Sequence, residues 1–419
     1  MLGFLKQAVA THGDVIYFTI GPIKIALVNQ PEQIKEILSV QHQKFVKGRP
    51  LEMAKALIGE GILTSEGSFH KKQARVIQPA FHRKRMESYI PAILDYTDRM
   101  MSHWEEGKAV DVREDMTTMT SLVAAKIMFQ ADIESDSKAI VGALDTATDL
   151  FGRIAVPYAE WLLHLPLPSS LQFRKAKKRL DELIYDLIAK RQENPSSHDD
   201  LLSMLLDPYG DGSGTGMSLQ QVRDEAITLF LTAFDTTSTA LTWTWYLLSQ
   251  NPEAEAEFHA EIDRVLQGRL PTAEDVPKLS FTRKVMTEAM RLFPPTYVLP
   301  RQSVEDFEIG EYCIPKGTIV LMSQYLIHHD PRYYKHPEVF DPHRWDDREP
   351  QRYQYFPFSG GPRTCIGEPL AWLKGVLVLA TVGQRWQLKL VPDHPVELLQ
   401  LINLKPKHGM QMTPHRRTH

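Results

Sequence analysis

Cysteine is scarce in this sequence, since the 419 residues contain only Cys313 and Cys365. Two cysteines cannot build a disulfide framework, and such scarcity is typical of a reducing compartment. Long hydrophobic runs are also missing, because no stretch approaches the roughly 20 apolar residues that cross a bilayer. The N-terminus lacks a charged start followed by an apolar stretch and a cleavage site. These absences predict a cytoplasmic protein without a transmembrane anchor.

A large excess of charge of one sign is absent as well. The 48 Lys and Arg residues face 52 Asp and Glu residues, which leaves a net charge of −4. This balance argues against a nucleic-acid-binding surface as the main function. The hydrophobic share of 43% and the charged share of 24% are those of an ordinary globular protein. The length allows either two domains or one large helix-rich domain.

The hydrophobic pattern favours a mainly α protein with minor β structure. Apolar residues three and four apart predict helices over much of residues 71–293 and again over 365–385. Runs rich in β-forming residues predict strands near 14–29, with a hairpin at Gly21-Pro22, and near 298–322. Internal repeats are absent. We therefore predict a single domain that spans residues 1–419.

The longest predicted helix contains polar residues at its centre. Ser218 and Gln221 resemble a capping box at its start, and Asn251-Pro252 marks its end. About 30 helical residues extend about 45 Å, enough to cross a domain of this size. Such a helix is mostly buried, and burying polar groups costs free energy. The presence of Asp235 and Thr236 at its middle therefore requires a structural or functional explanation. The Thr236 hydroxyl can bond the Thr232 carbonyl and bend the helix there.

Cys365 lies in a glycine-rich loop just before the last predicted helix. The loop has the sequence Phe358-Ser-Gly-Gly-Pro-Arg-Thr-Cys365-Ile-Gly367. Glycines let the backbone come close, so that amide N–H groups can point at the sulfur and tune a bound iron. Arg363 adds the positive charge that favours a thiolate, and Phe358 adds an apolar wall. A lone cysteine is usually inert and buried, but this pattern indicates a metal ligand.

This loop closely resembles the haem-binding loop of the cytochrome P450 family. The positions fixed in that family are filled here by Phe358, Gly361, Arg363, Cys365 and Gly367. The resemblance implies the cytochrome P450 fold, with the long central helix over a buried haem b. It also implies that Cys365 is the proximal iron ligand, and that Phe358, Arg363 and Gly367 contact the cofactor.

Three further segments match the family in the right order. Glu288 and Arg291 match its Glu-x-x-Arg helix motif, and Arg344 lies in a segment that resembles the partner of that pair. The resemblance implies a buried structural network behind the haem. The segment Thr232-Ala-Phe-Asp-Thr-Thr237 resembles the family's oxygen-binding part of the central helix, with Thr232 and Ala233 where Ala and Gly are commoner. Asp235 and Thr236 would then relay protons as catalytic residues.

Cationic donors for the haem propionates are also implied by the resemblance. They are His70, Arg301 and Arg363. Where the family often carries an arginine four residues after His70, this chain has Ala74, with Arg75 next to it. The last helix has Lys374 where an acidic residue is common. Lys374 is predicted to lie at the surface, either on an electropositive proximal face or as an ordinary solvated lysine.

The activity implied by the resemblance is insertion of one oxygen atom of O₂ into a C–H bond of a lipophilic small molecule. The chain ends soon after the matched region and contains no flavin or iron–sulfur module. Electrons are therefore expected from a ferredoxin or flavodoxin with its NAD(P)H-dependent reductase. A docking surface is expected at Lys71, Lys72, Arg75 and Lys374. Two alternatives are a peroxide-driven haem-thiolate hydroxylase and a non-enzymatic haem-based binder or sensor.

The substrate pocket is predicted from the same segments. Its candidate residues are Thr232, Ala233, Val298 and Leu299, with further walls at 49–63, 151–167 and 401–404. These segments are mostly apolar, which suits fatty acyl, terpenoid and steroid compounds equally well. The sequence alone therefore leaves the substrate class open.

Overall fold

A computed structural model describes residues 1–131, 167–194, 200–207, 216–347 and 351–417. The pocket wall predicted at 151–167 lies outside these residues, apart from Leu167. Within the described part of the chain, no helix combines the length and the apolar character needed to cross a membrane.

Helices dominate the described chain, which confirms the mainly α class with minor β structure. The helices are Leu2–His12 (α1), Pro31–Lys35 (α2), Arg49–Ile58 (α3), Gly67–Ile77 (α4), Arg83–Glu87 (α5), Ile90–Met101 (α6), Val112–Phe129 (α7), Pro168–Glu193 (α8), Leu201–Leu206 (α9), Leu219–Gln250 (α10), Pro252–Leu266 (α11), Ser280–Leu292 (α12), Gln324–His328 (α13) and Glu368–Arg385 (α14). A π-helical turn, Glu36–Val40, follows α2.

The strands form four small sheets. They are Val15–Ile20 (β1), Ile23–Val28 (β2), Phe45–Val46 (β3), Val110–Asp111 (β4), Leu299–Ser303 (β5), Phe307–Ile309 (β6), Tyr312–Ile314 (β7), Ile319–Met322 (β8), Trp386–Leu390 (β9), Leu398–Gln400 (β10), Leu404–Pro406 (β11) and Gln411–Arg416 (β12). The largest sheet has the order β1-β2-β8-β5-β3, and the predicted hairpin pairs Val15 with Val28. The other sheets are β4-β12-β9, β6-β7 and β10-β11.

The central helix α10 begins and ends where the sequence predicts. Ser218 and Gln221 form a complete capping box, and the helix stops at Asn251, before Pro252. Most of its side chains are buried, including Trp243 and Trp245. Its Trp243 indole N–H donates to the Leu404 carbonyl over 2.7 Å. This bond joins the C-terminal half of α10 to the β10–β11 hairpin.

Helix α1 is an element that the sequence analysis did not predict. Leu2, Leu5 and Ala8 are its buried residues, spaced three apart on one face. Leu5 and Ala8 pack with Leu27 of β2 and Leu326 of α13. The spacing is a helical signal, but three apolar positions in eleven residues make it weak. Packing against the sheet therefore accounts for much of its stability.

The predicted buried network at the Glu-x-x-Arg motif is confirmed. Glu288 and Arg291 are fully buried, and their carboxylate and guanidinium groups meet at 2.8 Å. Arg344 Nε donates to Glu288 over 3.2 Å, and the Trp345 indole N–H donates to it over 3.0 Å. Arg291 also bonds the carbonyl oxygens of His328, Pro337 and Val339. Because all these partners are satisfied, the network fixes α12 against the chain that precedes the cysteine loop.

Candidate functional site

The cysteine loop is held by a close backbone contact. Gly361 has φ 70°, and a Cβ there would lie 1.9 Å from the Leu38 carbonyl oxygen in the π-helical turn. Only glycine fits both the backbone angle and the contact. The Cys365 N–H donates to the Phe358 carbonyl over 3.0 Å, which closes the loop. The Phe358 ring packs on Trp372 of α14, with ring centres 5.7 Å apart.

The Cys365 thiol has two backbone donors and an open side. The amides of Gly367 and Glu368 hydrogen-bond the sulfur, as the glycine pattern predicted, and these bonds favour the thiolate. Burial outweighs them and raises the pKa of the Cys365 thiol above its usual value. Although protein atoms surround most of the thiol, Cys365 remains accessible to solvent. One face of the sulfur is therefore free to bind a ligand. A metal cation on that face would hold the sulfur as a thiolate.

A cluster of buried and half-buried cations lies near this sulfur, with Lys47 in electrostatic range of Cys365 and also of Arg301 and Arg363. Arg363 pairs with Glu66 and donates to the Ser65 carbonyl over 2.8 Å. Its other terminal nitrogen, Nη1, is buried and has no hydrogen-bond partner. Arg301 is 6% exposed, and burial, together with repulsion from Arg363, lowers its pKa to about 10. Buried guanidinium groups with an unused donor are suited to an anionic ligand.

Lys47 belongs to the same cluster, although the sequence analysis did not identify it. Burial, followed by repulsion from Arg301 and Arg363, lowers the pKa of Lys47 to about 7. Its backbone N–H donates to Glu66 over 2.6 Å. The segment Phe45-Val-Lys47-Gly carries no motif that marks the lysine. Only the pairing of β3 with β5 brings it beside Arg301.

His70 lies in the cluster as a neutral side chain. Burial, then repulsion from Arg363 and Lys47, lowers its pKa to about 4. The expected cationic donor is therefore a neutral N–H donor at pH 7 until an anion arrives. Ala74 is half-buried, and Arg75 is exposed. Lys47 therefore adds a cation to a cluster that carries no arginine at position 74.

These residues fit haem b on chemical grounds. A cysteine sulfur with two amide donors suits an iron ligand. The orphan Nη1 of Arg363, beside Arg301 and Lys47, suits a pair of carboxylates such as the haem propionates. In contrast, Cys313 is exposed on β7, in the separate β6–β7 hairpin.

Helix α10 carries the polar residues predicted at its middle. The Thr236 hydroxyl donates to the Thr232 carbonyl over 3.0 Å, which is the bond that the sequence predicted. The Asp235 carboxylate accepts from Asn403 Nδ2 at 2.5 Å and from Lys405 Nζ at 2.6 Å. Both partners are buried and belong to the β10–β11 hairpin. No local pattern predicts these two partners, because they lie far from Asp235 in the chain and carry no motif.

The prediction that Lys374 lies at the surface is wrong. Its side chain is 2% exposed, and Nζ donates to the Ala233 carbonyl over 2.6 Å. Helix α14 turns this face toward α10, so Lys374 takes no part in a docking surface. Lys71, Lys72 and Arg75 of α4 are exposed, as predicted.

The candidate pocket residues come from two segments joined by the β10–β11 hairpin. Thr232 is exposed and Ala233 is half-buried on α10, while Val298 and Leu299 are half-buried at the start of β5. The hairpin reaches α10 through Asn403 and Lys405. It reaches the chain before β5 through the Tyr297 hydroxyl, which donates to the Leu401 carbonyl over 2.9 Å.

Comparisons with known proteins cover almost the whole chain. The family model described as Cytochrome P450 matches residues 1–412. Cyclooctatin synthase of Streptomyces melanosporofaciens is 35% identical over 98% of this chain and 89% of its own length. Cyclooctat-9-en-7-ol 5-monooxygenase of the same organism is 35% identical over 93% and 86%, respectively. Pentalenene oxygenase of Streptomyces avermitilis is 30% identical over 94% and 88%.

Proposed function

The chain belongs to the cytochrome P450 family, and on that premise we propose that Cys365 is the axial thiolate ligand of its haem iron. As a member, it is a haem-thiolate monooxygenase that uses haem b, O₂ and electrons from redox partners to hydroxylate a lipophilic small molecule. The observation that carries the ligand assignment is the thiol itself, open on one side and bonded by two amides. We propose that Arg301, Arg363, Lys47 and His70 hold the propionates.

The ligand assignment predicts a difference between the two cysteines. Cys365→Ser removes the thiolate, so the red-shifted Soret band of the reduced carbonyl complex should disappear. Cys313→Ser is the matched control, because this exposed cysteine lies in a separate hairpin, and it should keep the band. The reverse pattern would end the assignment.

We further propose that Asp235 and Thr236 deliver protons during oxygen activation. When bound, the haem iron supplies the O₂ binding and electron transfer that the side chains lack. The Asp235 side chain places a carboxylate beside Thr236 on α10, where Asn403 and Lys405 fix its orientation. The Thr236 hydroxyl, bonded to the Thr232 carbonyl, is the next group along the same helix. This acid–alcohol pair supports O₂-driven over peroxide-driven chemistry, because peroxide already carries the oxygen, electrons and protons.

The proton-delivery proposal predicts loss of coupling in a defined variant. Thr236→Ala should keep haem content and substrate binding, since neither depends on the hydroxyl, but more electrons should leave as hydrogen peroxide. Asp235→Asn should slow turnover by about a hundredfold, the usual scale of general acid catalysis. The measurements are NAD(P)H consumption, hydrogen peroxide and hydroxylated product. Full coupling in Thr236→Ala would show that these residues only shape the helix.

The substrate class proposed is a polycyclic terpenoid. Relatives named for cyclooctat-9-en-7-ol and pentalenene support it, as do the half-buried apolar side chains of Val298 and Leu299. The test is a ligand screen that follows the low-spin to high-spin Soret change of the ferric protein. Polycyclic terpenoids should give the change at lower concentration than linear fatty acids of equal carbon number. Preference for the linear acids would overturn the proposal.

A ferredoxin or flavodoxin with its NAD(P)H-dependent reductase is proposed as the electron donor. Support comes from exposed basic residues on α4 and α5, which include Lys71, Lys72, Arg75, Arg83 and Lys84. The turn between these helices lies against the cysteine loop, because the Phe81 ring is 4.0 Å from the place of a Cβ on Gly367. An acidic partner docked there would lie near the thiolate.

A further inference from the structure

Lys374 is a buried amine for which the chemistry proposed above has no role. It lies about two turns into α14, after the cysteine loop, and is 2% exposed. Burial alone lowers the pKa of Lys374, to about 7. Within the described chain, Nζ has one hydrogen bond, to the Ala233 carbonyl, and no ion pair. Lysine side chains are usually long enough to place their amine in solvent. The Lys374 side chain is instead buried, and its amine makes a single hydrogen bond.

The contact falls on the part of α10 that precedes Asp235. In a regular helix each carbonyl accepts one N–H from four residues later. Here the four successive carbonyls of residues 232–235 each accept an additional side-chain donor, which at Phe234 is Thr120 of α7 and at Asp235 are Ser238 and Thr239. Thr232 accepts from Thr236 over 3.0 Å, and Ala233 accepts from Lys374 over 2.6 Å and from Thr237 over 3.4 Å. Extra donors on helix carbonyls tilt them outward and bend the helix.

The three donors to the Thr232 and Ala233 carbonyls differ in origin, because Thr236 and Thr237 belong to α10 and Lys374 does not. Thr236 belongs to α10 itself and moves with it, whereas Lys374 belongs to α14, the helix that follows Cys365. The Lys374 bond therefore ties the thiolate side of the site to the threonine side through one main-chain oxygen. An apolar residue at position 374 would leave the Ala233 carbonyl without this anchor.

We propose that Lys374 is a positioning residue for oxygen activation, which holds the Ala233 carbonyl and so sets the placement of the Thr236 hydroxyl. The inference rests on the proposed role of Thr236 and deepens it. Lys374 acts through the backbone of α10 and touches neither substrate nor cofactor. Without it, the site should still bind haem and substrate but deliver protons less well.

The test compares Lys374→Met, which keeps length and loses the donor, with Lys374→Arg, which restores a donor. In Lys374→Met the fraction of electrons released as hydrogen peroxide should rise by about threefold or more, the lower end for coupling between contacting groups. The C–O stretching frequency of the reduced carbonyl complex should shift, because it senses the threonine side of the haem. Lys374→Arg should move both values back toward wild type. Lys389→Met, at an exposed lysine of β9, is the matched control and should change neither.

The outcomes separate this inference from the proposal on which it rests. If Thr236→Ala uncouples the enzyme and Lys374→Met changes neither peroxide release nor the C–O stretch, Lys374 is only a space-filling residue. If Thr236→Ala stays coupled, the role of Thr236 fails whatever Lys374→Met does. The double variant should release no more peroxide than Thr236→Ala alone, since both act through one hydroxyl. Should Lys374→Met fail to retain haem, the same two measurements on Lys374→Leu, which also lacks a donor, decide the question.

Discussion

Lys47 is the residue whose contribution to the cofactor site we can isolate most cleanly. Its amine is buried beside Arg301 and Arg363, and burial followed by their repulsion lowers its pKa to about 7. The Glu66 carboxylate offsets only part of the repulsion among these three cations, which a further anion would relieve. Haem propionates would supply that anion and return Lys47 to its charged form. The cluster would then compensate for the missing arginine at position 74.

We therefore predict that Lys47→Met releases haem faster than the wild-type protein. Removing one charged contact to a carboxylate costs roughly 1.5–3 kcal/mol, or about tenfold or more in the rate of loss. Transfer of haem to apomyoglobin measures that rate. Lys44→Met, at a neighbouring lysine paired with Glu305 near the surface, is the control and should leave it unchanged. Equal rates for Lys47→Met and wild type would remove Lys47 from the propionate site.

At the scale of residues, local sequence predicts only what a local motif determines. The amide donors at Cys365 and the Thr236–Thr232 bond arise from neighbours in the chain, so they were predictable. Long-range packing provides the partners of Lys47, Asn403 and Lys405, and no spacing of residues in the sequence predicts these contacts. Lys374 was misplaced because a lysine is rarely enclosed. Only the crossing of α14 with α10 shows where its amine points.

At the scale of elements, the start of α10 is joined to the turn after α3 by a buried carboxyl group. Glu225 is fully buried and accepts from the Ile62 N–H over 2.9 Å. Among the residues that the structure describes, neither Oε1 of Glu225 nor Oε1 of the adjacent Gln73 has a hydrogen-bond partner. A proton on Glu225 would satisfy both oxygens. Burial raises the pKa of Glu225 to about 8, which keeps that proton in place at neutral pH.

This arrangement predicts a defined pH dependence of stability. The folded pKa is raised above the unfolded value of about 4.3, so the carboxyl group's stabilising contribution is full below pH 4.3. It declines as pH rises toward 8 and is lost above that. Glu225→Gln mimics the protonated form, so its free energy of unfolding should fall less than that of wild type between about pH 5 and 9. Urea unfolding at several pH values measures this. Glu253→Gln, at an exposed glutamate of α11, should follow wild type, and parallel curves for all three proteins would contradict the prediction.

Elements with strong local signals were predictable to within a residue or two. Helix α10 has a capping box at one end and Asn-Pro at the other, and both ends lie where the sequence predicts. The β1–β2 hairpin was equally clear. Helix α1 was not predicted because its stability depends on contacts with β2 and α13. The spacing of apolar residues within α1 does not show those contacts. The parallel pairing of β2 with β8 likewise depends on tertiary packing.

At the scale of the whole molecule, one large buried core joins elements between residues 54 and 412, and three smaller clusters of the described residues hold most of the buried apolar side chains of the N-terminal helices and strands. A single buried cluster includes Ala54, residues of α10 and α14, and Met412 of β12. We propose on this basis that the described residues form one domain, as the sequence suggested. The same packing places the basic residues of α4 and α5 beside the cysteine loop. The surface there is positively charged, although the net charge of the chain is −4.

A basic surface on an acidic protein predicts association that depends on salt. Reversing three exposed charges, with Lys71→Glu, Lys72→Glu and Arg75→Glu together, should slow electron transfer from a ferredoxin or flavodoxin by about tenfold or more at low ionic strength. Because charge steering is screened by salt, the difference from wild type should shrink as salt is added. The control reverses Lys24, Lys175 and Lys178, which are exposed on β2 and α8, and should cost much less. The measurement is the rate at which the reduced carbonyl complex forms with each donor. An equal loss in both triple variants would show that only net charge matters and that α4 is not the docking surface.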